Sequence, residues 1–449
     1  MTAEANSDDR VTRPTLTTPD AFTRMFEIML NFLVPGESER YELTLKTAPL
    51  AFAYYVPLQL LAYLSRRGNT RNLRFLLLPV TLIMIVIGTF WFGKPYDPDT
   101  FFLELIRGLS SLTCIAQALD FTFAGYGRRK VGETTLPPLG SCTPEDTTEV
   151  KHAGNGHHSR NNDQKGRETT WYQEVAETMC AMRGIGWNFG KGVVIPPEER
   201  DLNKGPFLRD TFFAFLKGYI IIDTIQMLFA NLPSIGSFYG ASIFYPELSP
   251  LSRYALSTVL HILVGVVVDF SLQTWYHLTT LFCVGVLGQS PVSWPPVFGK
   301  PWLADSLHVL WAREWHQLLR RTFMVLGGIP GSWIAGRAGM VMGSFIASGL
   351  YHECGMYLLN RGVHWRVPLF FTLQGVGVIC EDLFKRVTGK RVSGWAGRIW
   401  VAFFMVFLAQ ICTDSWISRG MANVRVLPSL ARIFLAPPIR WITGLALEN

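Results

Sequence analysis

Long apolar runs separated by short polar loops recur along most of the chain. In the first third, such runs lie at about 47–64, 73–93 and 102–125. A helix needs about 20 mostly apolar residues to cross the hydrocarbon core of a bilayer, and each of these runs is close to that length. Because backbone groups in lipid must be satisfied within their own segment, the pattern predicts membrane-spanning helices.

The same pattern continues in the second half, with runs at about 208–230, 254–288, 338–359, 366–384 and 397–416. The run at 254–288 is long enough for one tilted helix with a half-helix, or for two tight spans. Over the whole chain we predict about eight to ten spans. The predicted fold class is therefore all-α, in a polytopic integral membrane protein.

Differences in polarity divide the chain into four predicted regions. They are a disordered tail at 1–20, an amphipathic segment and three spans at 21–125, a polar cytoplasmic insert at 126–206, and a second membrane domain at 207–449. The amphipathic segment covers 21–35 and is predicted to lie in the membrane interface. The middle of the insert, 152–168, has too few apolar residues to bury a core, so we predict that it is mobile.

Composition supports the prediction of a membrane protein. Charged residues make up only 17% of the 449 residues, whereas soluble domains carry about 25%. The net charge of +7 is spread over loops, which argues against binding to nucleic acid. The seven cysteines include no CxxC pair, so neither a disulfide framework nor a metal site is predicted. The N-terminus is too polar to be a cleavable signal peptide.

The basic loops predict how the spans are oriented. If the spans alternate, four basic groups share one side: Arg66, Arg67 and Arg71; Arg128, Arg129 and Lys130; Arg313, Arg320 and Arg321; and Lys385, Arg386, Lys390 and Arg391. Positive charge accumulates in the cytoplasmic loops of membrane proteins. We therefore predict that this side faces the cytoplasm.

One histidine lies inside an apolar run. His352 belongs to the run at 338–359, and a fully charged side chain at the centre of a span costs about 2.5–3.5 kcal/mol on insertion scales. An ionisable residue at this depth is a candidate functional site. Burial disfavours the imidazolium, so a neutral His352 could accept a proton as a general base. The alternative is a packing histidine that is hydrogen-bonded to a neighbouring helix.

A second histidine closes a tryptophan-rich run. We predict an amphipathic helix over residues 304–326 that carries Trp311, Trp315 and His316. The two tryptophans are four residues apart and would share one face of that helix. An aromatic stripe of this kind is typical of a membrane interface.

Arginines on the same segment permit a second interpretation. Arg313 and Arg320 flank His316, and arginines near a membrane often face lipid headgroups. They are equally consistent with a slot for an anionic, nucleotide-bearing cofactor, because guanidinium groups recognise phosphates. The tryptophans would then contact the adenine or line the entry of the acyl chain.

Three motifs occur in the order and spacing of a known enzyme family. They are Arg183-Gly184-Ile185-Gly186-Trp187-Asn188, then Pro296-Val297-Phe298-Gly299-Lys300-Pro301 with Trp311-Ala312-Arg313-Glu314-Trp315-His316-Gln317, and Ser348-Gly349-Leu350-Tyr351-His352. Over about 180–415 the chain resembles the wax-synthase-like branch of the membrane-bound O-acyltransferases. It is most similar to fungal members that acylate, and mostly acetylate, hydroxyls of terpenoids and meroterpenoids.

The resemblance implies a role for each histidine and a set of partners. His352 corresponds to the catalytic base, and His316 to a second catalytic or substrate-orienting residue. Region 207–449 would be the catalytic domain. Acyl-CoA, here acetyl-CoA, would be the co-substrate and would enter from the cytoplasmic side of the endoplasmic reticulum, with no cofactor bound permanently. The acceptor would be an apolar, hydroxylated small molecule that partitions into the bilayer.

We therefore predict an acyl-CoA:alcohol O-acyltransferase, and two alternatives stay open. The first is an acyltransferase that uses long acyl chains on fatty alcohols or sterols. The second is a polytopic transporter in which Asp223, Asp269 and His352 form a path for protons or substrate.

Overall fold

The computed structural model describes residues 34–93, 101–139, 170–237, 239–359 and 361–424. Within these residues the chain is helical, with two isolated bridges and no extended strand. The predicted tail at 1–20 and the predicted mobile stretch at 152–168 lie outside the described residues, as does most of the interfacial segment at 21–35.

Ten helices of at least eight residues form the described part of the chain. In order they are α1 (Tyr55–Ser65), α2 (Arg71–Phe90), α3 (Phe101–Phe123), α4 (Trp171–Cys180), α5 (Lys204–Ala230), α6 (Pro250–Gly285), α7 (Ile329–Leu358), α8 (Arg366–Thr388), α9 (Gly394–Ala402) and α10 (Gln410–Ile417). The backbone is not helical at Ala335 and Gly336, within the range of α7, so α7 below means the part after this break, residues 337–358. A short helix at Ala48–Ala51 precedes α1. A π-helical stretch at Phe403–Leu408 lies between α9 and α10.

Six segments of the described chain are long and apolar enough to cross a membrane: Ala48–Ser65, α2, α5, α6, α8 and Gly394–Ile417. The prediction of an all-α integral membrane protein is thereby confirmed. The described residues hold fewer candidate spans than the about eight to ten that the apolar runs predict. The run at 254–288 forms the single helix α6 of 36 residues, which excludes two tight spans.

Two predicted spans form long helices but are not among these six. In α3 the buried residues Glu104, Arg107 and Asp120 interrupt the apolar sequence. In α7 the polar pair at His352 and Glu353 does the same. Both helices are thus helical as predicted, but they are more polar than ordinary lipid-facing spans, as expected of helices that serve a buried site.

Local sequence sets the helix ends. Pro250 opens α6 after Ser249, whose hydroxyl accepts a hydrogen bond from the Ser252 amide. Serine before a first-turn proline is a favourable start. The serine hydroxyl satisfies one of the free amides at the helix start, and proline has no amide hydrogen that needs a partner. α8 ends where Gly389 adopts a left-handed conformation with φ 72°, which glycine accepts without strain.

Glycines allow the long helices to approach closely. Gly218 of α5 faces Thr274 of α6, and an ideal Cβ on Gly218 would lie 2.3 Å from the Thr274 hydroxyl. Gly349 of α7 faces Pro368 of α8 in the same way, with 2.7 Å from an ideal Cβ to the Pro368 Cα. Small residues at contacts are the usual means of helix packing in membranes.

Buried ion pairs join the loops that are predicted to face the cytoplasm. Glu174 of α4 accepts hydrogen bonds from Arg66 (2.9 Å) and Arg67 (2.7 Å). Arg66 also pairs with Glu133 and donates to the carbonyl oxygen of Arg128 (2.8 Å). The first and second basic groups therefore meet at one end of the helices.

The third basic group joins the same end through α3. Asp120 forms ion pairs with Arg128 and with Arg321. Asp120 and Arg128 are both nearly fully buried. Residues from three separated basic loops thus lie together, which agrees with the prediction that these loops share one side of the membrane.

Candidate active site

The segment that holds the tryptophan–histidine run is not the continuous helix predicted over 304–326. A single α-helical turn at Leu307–Val309 widens into a π-helix at Leu310–Glu314. The chain is then extended at Trp315, with ψ 151°, and becomes helical again at Arg320. The prediction of one amphipathic helix is therefore wrong.

Side chains satisfy the main-chain groups that a continuous helix would have paired. Gln317 Nε2 donates to the carbonyl oxygens of Trp311 (3.0 Å) and Trp315 (2.8 Å). The carboxylate of Glu314 accepts a hydrogen bond from the Lys300 amide (2.6 Å). Such bonds compete with the helix ladder, and the spacing of apolar residues does not reveal them.

Residues 307–335 form a re-entrant segment, which enters and leaves at the same end of α8. At its start, the Leu307 amide donates to Glu381 (2.6 Å). Further along, the Trp311 indole N–H donates to Gln374 (3.1 Å). Because Gln374 precedes Glu381 by seven residues, the segment descends along α8 by about 10 Å between these contacts.

The second half of the re-entrant segment climbs back along α7. Phe323 packs edge-on against Tyr351, with ring centroids 5.4 Å apart. Past the turn, Arg337 reaches Asp382 near the end of α8 where the segment began (3.4 Å). The deepest part, 315–319, therefore lies towards the end of α7 that carries Tyr351 and His352. Irregular backbone at membrane depth is tolerated where it is buried in protein or lines a cavity.

Two pairs of glycines hold the returning arm against α7. An ideal Cβ on Gly331 would lie 2.1 Å from the carbonyl oxygen of Gly339, and one on Gly343 would lie 2.1 Å from that of Gly327. The chain reverses at Gly336, with φ 55°. Glycine is required at all five positions, for close approach at four of them and for the left-handed turn at the fifth.

His352 lies in an aromatic cage in the C-terminal half of α7. Its ring stacks on Phe371 at a centroid distance of 5.0 Å and an interplanar angle of 11°. Trp416 (5.9 Å) and Tyr351 (5.5 Å) close two other sides. The side chain is half-buried, and neither ring nitrogen has a hydrogen-bond partner in the described residues. The packing interpretation requires a hydrogen bond between His352 and a neighbouring helix, and the described residues form no such bond.

His316 lies at the deepest part of the re-entrant segment. Its ring packs against Phe298 (5.6 Å) and Trp315 (5.7 Å). Its Nδ1 atom is buried and has no partner in the part of the chain that the structure describes. Trp315 contacts Trp311, which packs against Phe371, on which His352 stacks. A chain of aromatic contacts thus connects His316 with His352.

A cavity adjoins the deepest part of the re-entrant segment. It lies between α3, residues 178–189 and residues 318–325. Thr113 lines it and has its hydroxyl 3.3 Å from the Tyr351 hydroxyl, next to His352. The cavity therefore borders the re-entrant segment directly and reaches α7 only through the contact between Thr113 and Tyr351.

The residues predicted to contact a nucleotide-bearing donor are only partly brought together. Trp311 and Trp315 remain in edge-on contact, with centroids 5.7 Å apart, although they are not on one helix. Trp311 also packs against Phe371, on which His352 stacks. Arg320 is half-buried and lies near Gly192 rather than beside the tryptophans.

Arg313 belongs to a positively charged rim at the entry of the re-entrant segment. It is exposed. Burial, followed by the positive charges of Arg337, Arg313 and Arg391, lowers the pKa of His308. These cations come from three separate parts of the sequence. The rim is a suitable surface for a polyanionic group.

Several residues of the site were missed by sequence analysis. Phe371, Gln374 and Glu381 all lie on α8 and contact either His352 or the re-entrant segment. A signal was present, because Gln374 and Glu381 are polar residues seven apart within an apolar run and so share a helix face. Glu353, which lies beside His352 and pairs with Arg419, was also missed.

Comparison with known proteins identifies the part of the chain that holds this site. Residues 294–373 match the model of the membrane bound O-acyl transferase family. The resemblance to the membrane-bound O-acyltransferases is confirmed. The matched residues contain His316, His352 and the whole re-entrant segment, so the family match and the site coincide.

Three similar proteins are named as transferases. An O-mevalon transferase of Penicillium terrestre is 29% identical over 298 residues, which cover 57% of this chain and 61% of the relative. An acetyltransferase of Calcarisporium arbuscula is 27% identical, over 46% of this chain and 56% of the relative. A probable long-chain-alcohol O-fatty-acyltransferase of Arabidopsis thaliana is 31% identical, over 31% and 46%. The chain thus matches between 46% and 61% of the length of these relatives.

Proposed function

We propose that this protein is a membrane-embedded O-acyltransferase. It transfers an acyl group, most simply acetyl, from acyl-CoA to a hydroxyl of an apolar terpenoid or meroterpenoid. One observation carries the proposal. Aromatic contacts through Phe371, Trp311 and Trp315 connect His352 with His316, and both imidazoles keep nitrogen atoms without partners in the described residues.

His352 acts as the general base in this proposal. Its free nitrogen takes the proton of the acceptor hydroxyl while the oxygen attacks the thioester carbonyl carbon. The new C–O bond forms, the C–S bond breaks, and the imidazolium returns the proton to the departing CoA thiolate. The aromatic cage limits water around the reacting atoms, so hydrolysis of the thioester is suppressed.

His316 stabilises the transition state in the same proposal. A neutral His316 donates a hydrogen bond through one ring nitrogen, and the indole N–H of Trp315 is a second candidate donor. A donor that meets the developing oxyanion contributes about 2.7–4 kcal/mol. His316 is therefore expected to matter for turnover more than for binding of the donor.

The donor is proposed to arrive at the basic rim. Arg313 supplies a cation there, as suits the phosphates of CoA, and Trp311 with Trp315 lines the way to His316. Arg320 lies further from the tryptophans and is the weakest of the four predicted donor contacts. The membrane is proposed to be that of the endoplasmic reticulum, with the rim towards the cytoplasm.

Turnover in microsomes tests the proposal. We expect His352→Ala to lower CoA release from acetyl-CoA and a hydroxylated terpenoid by about 10²–10⁴-fold. His364→Ala is the matched control, since its ring contacts Ser415 outside the cage. If His352→Ala keeps near-native turnover at equal expression, the proposed base is wrong.

A second candidate has support from two plant relatives. The matches to probable long-chain-alcohol O-fatty-acyltransferases of Arabidopsis thaliana favour long acyl chains on an alcohol. Parallel assays with acetyl-CoA and palmitoyl-CoA separate the two, because the preferred donor gives the higher kcat/KM. Absence of CoA release with either donor, together with flux of terpenoid across vesicles, would instead favour a transporter.

A further inference from the structure

α8 presents one face to both histidine-bearing elements. Phe371 stacks on His352, Gln374 accepts the Trp311 indole, and Glu381 accepts the start of the re-entrant segment. These three residues are spaced by three and seven positions, so they lie along one stripe of the helix. The stripe connects the depth of His352 with the entry of the re-entrant segment.

Glu381 makes the firmest of these contacts. One carboxylate oxygen accepts a hydrogen bond from the Leu307 amide (2.6 Å), and the other accepts one from the His308 amide (2.9 Å). Ser306 adds a third bond by accepting from the Val309 amide (3.1 Å). Together these side chains satisfy amides that have no partner inside the helical turn.

The charge of Glu381 is not balanced by a basic side chain. It is 7% exposed and lies within a candidate span. In the described residues no lysine or arginine forms an ion pair with it. The adjacent Asp382, in contrast, pairs with Arg337 and Arg386. A buried carboxylate without a cation is costly, so stability alone does not account for it.

Gln374 provides a second, weaker anchor. Its side chain is fully buried, and its Oε1 accepts the Trp311 indole N–H. Its Nε2 has no partner in the described part of the chain. An amide at this point orients Trp311, which in turn packs against Trp315. Gln374 therefore acts through Trp311 on Trp315, the residue next to His316.

We propose that Glu381 is a positioning residue, which fixes the entry of the re-entrant segment so that His316 stays aligned with His352. This inference rests on the proposed acyl transfer for its kinetic test. The physical basis is geometric: from Leu307 to His316 the chain is a short turn, a π-helix and an extended residue. If Glu381 no longer holds the first turn of this segment, the residues after it, including His316, can shift. A shift of about 1 Å can lower the rate about 10²-fold.

The kinetic test uses Glu381→Gln, which keeps the size but replaces one acceptor with a donor. We expect kcat to fall about 10–100-fold with less than a threefold change in KM for acetyl-CoA. Asp210→Asn on α5, whose carboxylate pairs with the exposed Arg209, is the control and should stay within twofold of wild type. Glu381→Asp, which keeps both acceptors on a shorter side chain, should recover part of the loss.

A double-mutant cycle separates positioning from simple destabilisation. If Glu381 acts through His316, Glu381→Gln should cost less than about twofold when His316 is already alanine. An equal loss in both backgrounds would overturn the proposal. If Glu381→Gln does not accumulate in membranes, the cycle is run with Glu381→Asp.

A chemical readout tests the inference without enzyme activity. Leu310 is 3% exposed, so a cysteine placed there should react slowly with a maleimide. We expect Glu381→Gln to speed labelling of Leu310→Cys at least fivefold over the same variant with Glu381 intact. Unchanged labelling would overturn the positioning role, even if the protein proves to catalyse another reaction. Faster labelling in a protein without CoA release would reject the proposed function alone.

Discussion

The two ends of α7 are held by different chemistry. At its C-terminal end, Glu353 accepts two hydrogen bonds from Arg419 (2.6 and 2.9 Å) and one from the His364 amide (2.6 Å). At the other end, the returning arm of the re-entrant segment packs against it through Gly331 and Gly339. Charge fixes one end, and close neutral contact fixes the other.

The ion-paired end connects more of the fold. Arg366 at the start of α8 pairs with Asp414 of α10 (2.7 Å), and Asp414 also accepts hydrogen bonds from Ser242 (2.6 Å) and the Ile243 amide (3.1 Å). Residues 307–319, in contrast, take part in no ion pair among the described residues. His352 thus belongs to a region held by ion pairs, which we call the charge-locked region (Glu353, Arg366, Asp414 and Arg419). His316 belongs to the packed region, residues 307–319, which is held by capping hydrogen bonds and by packing.

The largest expected effect comes from breaking the charge-locked end. Arg419→Met leaves Glu353 buried without its cation, which should lower the free energy of unfolding by about 3–5 kcal/mol. Thermal unfolding in detergent measures it. Adding Glu353→Gln should restore most of the loss, because the uncompensated charge is then removed. A loss below 1 kcal/mol for Arg419→Met alone would contradict the comparison.

A smaller effect is expected at the glycine contact. Gly343→Val would place a branched side chain against the carbonyl oxygen of Gly327, where even a Cβ would lie 2.1 Å away. We expect a loss of about 1–3 kcal/mol and reduced CoA release. Gly265→Val on α6 is the control, since an ideal Cβ at Gly265 has no neighbour within 4 Å. Equal unfolding midpoints for the two variants would refute the close packing.

Sequence predicted the charge-locked region better than the packed one. The apolar run at 338–359 identified the helix of His352, since regular burial leaves a regular pattern. The predicted helix over 304–326 failed because Gln317, Glu314 and Glu381 bond to main-chain atoms. Whether a polar side chain faces water or caps a distant backbone amide is decided by tertiary contact, which spacing along the chain does not encode.

The motifs located the candidate site but not its supports. Both histidines were selected from sequence, and in the structure a chain of aromatic contacts connects their rings. The partners that orient them, Phe371 and Glu381, come from α8 and lie well beyond the tryptophan–histidine run. Such partners become visible only when the helices are packed, because each looks like an ordinary residue of its own span.

The glycine contacts between residues 327–331 and 339–343 fix the register of the two arms. With no room for a methyl group, the two arms meet in one register only. A slip by one residue along either arm would move His316 relative to His352 by about 1.5 Å. Insertions and deletions between residues 317 and 338 should therefore be far less tolerated than substitutions there, because the count of residues around the hairpin sets the separation of the two imidazoles.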